Sequence, residues 1–120
     1  MSENGRTPMD SMRDVSPAAA ATYLAHRDAI MANPELAVLP RTTKLLIGIG
    51  VASALQSSEC TLMWTKQALA AGMSEAEIVE AIVVARLMKA ATVNDTAQEA
   101  LEWLLGQRGK NHPQADAVPR

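Results

Sequence analysis

Eleven consecutive uncharged residues, Leu45-Leu-Ile-Gly-Ile-Gly-Val-Ala-Ser-Ala-Leu55, constrain this chain more than any other stretch. Read as a helix, the run carries apolar side chains in every direction, so other helices or subunits must surround it. It is too short to span a bilayer, which takes about 20 apolar residues. The expectation is a central buried helix. A polar break follows, Gln56-Ser57-Ser58-Glu59, and then Cys60-Thr61-Leu62-Met63-Trp64. Cys60, the sole cysteine, therefore falls where the next helix begins.

What surrounds that run is set by composition. A chain of 120 residues is one domain, and 48% apolar content supplies a core. Its aromatics are only Trp64, Trp103 and Tyr23, so alanine and methionine fill the interior, which favours closely packed helices over a sandwich or barrel. A domain this small buries only about two-thirds of its unfolded surface, and an all-round apolar helix inside it points to self-association. A net charge of −2 and a pI near 5.6 argue against a nucleic-acid or anionic-membrane partner. A single cysteine excludes an intrachain disulfide and suits a reducing compartment. No basic-then-apolar segment opens the sequence, so a cytoplasmic location is expected.

Residues 1–15 are polar and read as a flexible arm, 16–106 as the helical domain, and 107–120 as a disordered tail. Ser16-Pro17 starts a first helix, an N-cap followed by Pro at the first helical position, and Asn33-Pro34 stops it. Pro40 opens the central helix, with Thr42 or Thr43 as candidate caps. Gly48 and Gly50 inside it each cost about 1 kcal/mol relative to alanine, a cost explained first by close helix–helix contact and second by a ligand approaching the backbone. A third helix runs from Ser58 or Glu59 to Ala71, and Gly72 stops it. Ser74-Glu75-Ala76-Glu77 has the spacing of a capping box and predicts a fourth helix to about Ala90. Ile78, Ala81, Ile82 and Ala85 follow its helical period, with Val79, Val83 and Leu87 widening the stripe. Thr92 or Asn94 then caps a fifth helix to about Leu105, in which Ala97, Ala100, Leu101 and Leu104 face inward. The predicted fold is all-α, a compact bundle of about five helices.

Cys60 is the candidate nucleophile. A cysteine in the first turn of a helix feels the helix dipole and free N–H groups, which favour the reactive thiolate. Glu59 beside it opposes this with negative charge, and is a weaker candidate for a part in the chemistry. The competing reading is an inert thiol in an apolar helix. Helical spacing puts Cys60, Met63, Trp64 and Gln67 on one face. His26 and His112 have no metal-ligand spacing to another ligand and read as surface residues. Glu77, Glu80, Arg86 and Lys89 read as a solvated face, although Arg86 and Lys89 could hold an anion in an oligomer cleft. Neither a metal nor a cofactor is implied.

The order of features resembles a known family. Leu39-Pro-Arg-Thr-Thr-Lys-Leu-Leu-Ile-Gly-Ile-Gly-Val-Ala, a Cys-centred junction, and Ala68-Leu-Ala-Ala-Gly-Met-Ser-Glu-Ala-Glu-Ile-Val-Glu-Ala-Ile82 are similar to the carboxymuconolactone decarboxylase and alkylhydroperoxidase AhpD-like family. The likeness covers roughly residues 39–104. It implies an all-helical homo-oligomer, a trimer or hexamer. It also implies, for the AhpD branch, peroxide reduction by a Cys-x-x-Cys pair at a helix start. There a glutamate on the preceding helix and a histidine four residues after the second cysteine relay protons.

Placed on this sequence, Cys60 matches the second, peroxide-attacking cysteine, and Ser57 stands at the first. Leu45 stands where the relay glutamate is expected and Trp64 where the histidine is; Glu59 takes the place of a further relay histidine. Three readings follow. Cys60 acts alone as a peroxide-reactive, peroxiredoxin-type thiol restored by an external thiol reductant. Alternatively the chain is a non-enzymatic structural or ligand-binding oligomer, with Leu45, Met63 and Trp64 filling the pocket. The third reading is a decarboxylase-like enzyme, against which Trp64 also counts, since that branch keeps a histidine near the same position.

Overall fold

A computed structural model describes residues 5–110. Among them lie five α-helices and one 3-10 turn, and no strand. The all-α expectation holds, but the helices are not divided as the sequence suggested. The first, α1 (Pro8–Val15), falls in the stretch read as an arm. Its signal is a capping box: Thr7 Oγ1 accepts the Asp10 N–H at 3.1 Å and Asp10 accepts the Thr7 N–H at 3.0 Å. These two bonds to Thr7 hold the Asp10 carboxyl below its ordinary range.

Helix α2 (Pro17–Met31) begins as expected, with Ser16 Oγ accepting the Ala19 N–H at 3.2 Å. Asn33 then caps the 3-10 turn Pro34–Leu36. Helix α3 (Arg41–Ala54) has Pro40 as its N-cap and no side-chain cap bond, so neither Thr42 nor Thr43 caps it. A proline supplies a suitable φ but no side-chain acceptor. The chain reverses at Gln56, whose φ of +64° lies in the left-handed region, and the Ser57 N–H reaches back to the Ala52 carbonyl at 2.9 Å. That is a helix-ending motif in which glycine is the usual residue.

Helix α4 (Ser58–Ala70) follows, stopped at Gly72 with φ +93°. Helix α5 is a single helix, Glu75–Arg108. Its start is capped reciprocally by Ser74 and Glu77, as predicted, and the hydrogen bonds from Ser74 hold the Glu77 carboxyl below its ordinary value. The predicted break near Thr92 and Asn94 does not occur. No Gly or Pro stands between Ser74 and Leu105, and Thr92 Oγ1 donates back to the Lys89 carbonyl at 2.5 Å as a mid-helix threonine does. The helix also takes in Gln107 and Arg108, read above as tail, whereas the rest of that tail from 111 onward lies outside the described residues.

The chain divides into two compact units, one up to Ala85 and one from Arg86. In the first, α3 packs along α4, and Leu45, Ile49, Ala68 and Ile78 form the core, with Met31, Leu46, Trp64 and Met73 against it. Among the described residues only Leu45 and Ile49 are large and fully enclosed, at 0% exposure. The apolar run is thus buried on one side alone. Ile47 and Val51 are half exposed and Leu55 is 75% exposed on the other, so the described residues leave that side of the helix without the surround expected for it. In the second unit, Leu101 and Leu104, read as inward-facing, are exposed, as is Leu87. The inward-facing reading of Leu101 and Leu104 therefore does not hold among the described residues.

Candidate functional site

The start of α4 is built by Ser57. Its Oγ accepts the Cys60 N–H at 3.3 Å, while Thr61 Oγ1 donates to the Ser57 carbonyl at 2.7 Å. The position at which a resolving cysteine would stand therefore holds a helix cap, a role in which serine is preferred. Ser58, Glu59 and Cys60 form the first turn, and Cys60 is exposed. The described residues thus leave the thiol unenclosed. Among the described residues the Cys60 sulfur enters no hydrogen bond, whereas Glu59, its neighbour, turns to a half-buried position.

The inner half of the site is closed. Leu45 has no exposed surface, so an apolar side chain fills the place expected of the relay glutamate. Trp64 packs inward against the Leu45 cluster, while Cys60, one turn before it, is exposed. Its six-membered ring occupies the space above Gly48. A Cβ added to Gly48 would overlap Cε3 and Cζ3 of the indole and stand 3.1 Å from Cδ2. Gly50 is tight for another reason, since its Cβ would lie 3.3 Å from the Ala81 carbonyl oxygen of α5. Both glycines are sites of close helix approach, as predicted. The specific partner of Gly48 was not read from the sequence, although a glycine on one helix and a bulky aromatic on the next is the available signal.

Beside the first two turns of α4 runs an open groove of about 460 Å³, bordered by Ser53, Ser57, Thr61 and Thr65 with Leu62 and Gln56. The sequence reading missed it; hydroxyls at positions 61 and 65, one turn apart, are its only trace. Two of these hydroxyls already donate to backbone carbonyls, Ser53 to Gly50 at 2.9 Å and Thr61 to Ser57. Cys60 does not line this groove. His26, Arg86 and Lys89 are exposed, the described residues form no cluster that could hold a metal, and His112 lies outside them. No described helix is long and apolar enough to cross a membrane.

Comparison with known proteins agrees with this architecture. The model of the carboxymuconolactone decarboxylase family matches residues 17–104, which extends the likeness seen from residue 39 back through α2. Among solved structures, the crystal structure of a protein from Methanobacterium thermoautotrophicum is similar, at 29% identity and a TM-score of 0.71. The match covers 77% of this chain and 97% of that one. No curated protein matches. With the family model spanning all of α2, α3 and α4 and most of α5, the chain belongs to the carboxymuconolactone decarboxylase family.

Proposed function

We propose that this family member is a single-cysteine, peroxide-reactive thiol protein in which Cys60 acts without a resolving cysteine or an internal proton relay. The observation that carries the reading is the exposure of Cys60 in the first turn of α4, with its backbone N–H held by the Ser57 cap. The Cys60 thiolate attacks one oxygen of the peroxide; the S–O bond forms as the O–O bond breaks. The leaving alkoxide or hydroxide takes a proton from water, since neither Leu45 nor Trp64 carries one to give. Sulfur is oxidised to sulfenic acid and the peroxide is reduced to alcohol or water. An external thiol then condenses with the sulfenic acid, releasing water and leaving a mixed disulfide. A second thiol displaces Cys60 from it and regenerates the protein. A reducing, cytoplasmic setting supplies such thiols.

We read the working form as a homo-oligomer, a trimer or hexamer. Its support is the open apolar side of α3, at Ile47, Val51 and Leu55, where only two large side chains are fully enclosed among the described residues. A second reading, a non-enzymatic oligomer on the same scaffold, is favoured by a different observation. The relay position is filled by fully enclosed Leu45, and Trp64 is locked against Gly48. Trapping with dimedone after peroxide treatment separates the two. One adduct per chain, absent from Cys60→Ser, is expected from the first reading, and an unmodified native protein from the second. In neither case does a dithiol-relay reductase sustain turnover, because Ser57 cannot close a disulfide with Cys60.

A further inference from the structure

Away from Cys60, two guanidinium groups converge on one neutral oxygen. Gln67 of α4 presents Oε1 to Arg27 Nη2 of α2 at 3.4 Å and to Arg41 Nη2 of α3 at 3.2 Å. Arg27 and Gln67 are half-buried, and Arg41 stands at the rim. Among the described residues neither arginine enters an ion pair, although Asp28 and Glu35 lie in the flanking segments. Lys44, one turn after Arg41, adds a third positive charge, and its Nζ donates to the Ile30 and Leu36 carbonyls instead of to a carboxylate.

Arginine forks match planar oxyanions, which accept from several N–H groups at once and balance the charge. An amide oxygen holds the two forks together but balances nothing, and among the described residues most of their donors remain unused. Arg41 is also the first residue of α3, the helix whose N-cap supplies no side-chain acceptor and whose first turn has no acid. Its positive end thus adds to the same local field. We propose that Arg27, Arg41 and Gln67 form a binding site for a small forked oxyanion, a carboxylate or phosphate head group. The anion is received between the two guanidinium groups, with the Gln67 amide as a neutral partner.

The site uses no atom of Cys60, so the inference stands apart from the thiol chemistry. Calorimetric titration of the full-length protein with inorganic phosphate and with succinate, against chloride at matched ionic strength, tests it. Saturable binding of one anion per chain is expected, about tenfold weaker in Arg27→Gln and again in Arg41→Gln, the loss typical of one charge-assisted bond. The stronger of the two anions assigns the head group. Gln67→Glu places a carboxylate between the forks; it should raise the melting temperature and abolish binding of both anions. Should the arginine variants fail to fold, this variant decides alone. No binding beyond chloride, binding that survives the double arginine variant, or wild-type binding in Gln67→Glu would each overturn the proposal. Cys60→Ser should leave the titration unchanged.

Discussion

Trp64 and Gly48 are the residue pair on which the closed interior depends, and their coupling is measurable. Gly48→Ala should destabilise by about 1–3 kcal/mol through overpacking, because the added methyl meets the indole. Trp64→Ala should cost about 3 kcal/mol, the low end for a tryptophan because Trp64 is only half-buried. In the Trp64→Ala background, however, Gly48→Ala should become favourable by up to about 1 kcal/mol, the helix-propensity gain of alanine over glycine. Additive urea-unfolding energies in the double variant would show that the two residues do not meet. At the reversal after α3, Gln56→Gly should stabilise by about 1 kcal/mol, since it removes a side chain from a left-handed backbone. No stability gain there would mean that the φ of Gln56 is relaxed in solution.

Among the elements, the ends of helices were read well and their junctions less so. The Ser16-Pro17, Asn33-Pro34, Gly72 and Ser74–Glu77 signals were legible because each is a local exchange of hydrogen bonds with a fixed spacing. The Thr92 and Asn94 reading failed because a residue type that can cap a helix does so only where the backbone leaves helical geometry, and nothing in Glu75–Arg108 forces it to. Asn94→Ala decides this point. In a continuous helix it should stabilise by about 0.5 kcal/mol, whereas loss of a true cap would cost about 1 kcal/mol. The cap at the start of α5 carries a pH signature. The Glu77 carboxyl is held below its ordinary 4.5 by its bonds from Ser74. Its contribution is therefore complete above the unfolded value and is lost as pH falls through the lower, folded one. Melting curves below pH 4.5 should fall less steeply for Glu77→Gln than for the parent; identical slopes would dismiss the cap as the cause.

For the molecule as a whole, the sequence carried the family and the all-helical class because apolar periodicity and the order of motifs survive substitution. It could not show which apolar faces one chain covers for itself. Leu45 and Ile47 belong to the same uncharged run, yet one is enclosed and the other half exposed. Nor could helical spacing show that Trp64 packs over Gly48, in the room a glycine leaves. Sedimentation at micromolar concentration should give at least three times the 12.8 kDa chain mass. A folded species at the chain mass would leave Ile47, Val51 and Leu55 uncovered and end the oligomer proposal.

The central claim is that Cys60 stays open at the start of α4 while the interior behind it is closed. The rate of Cys60 alkylation by iodoacetamide, in native protein and in urea-unfolded protein at the same pH, tests it most directly. A native rate equal to or above the unfolded rate is predicted, with one label per chain and none in Cys60→Ser. A native rate suppressed tenfold or more, which is about 1.4 kcal/mol of protection, would place the thiol under cover and contradict the account.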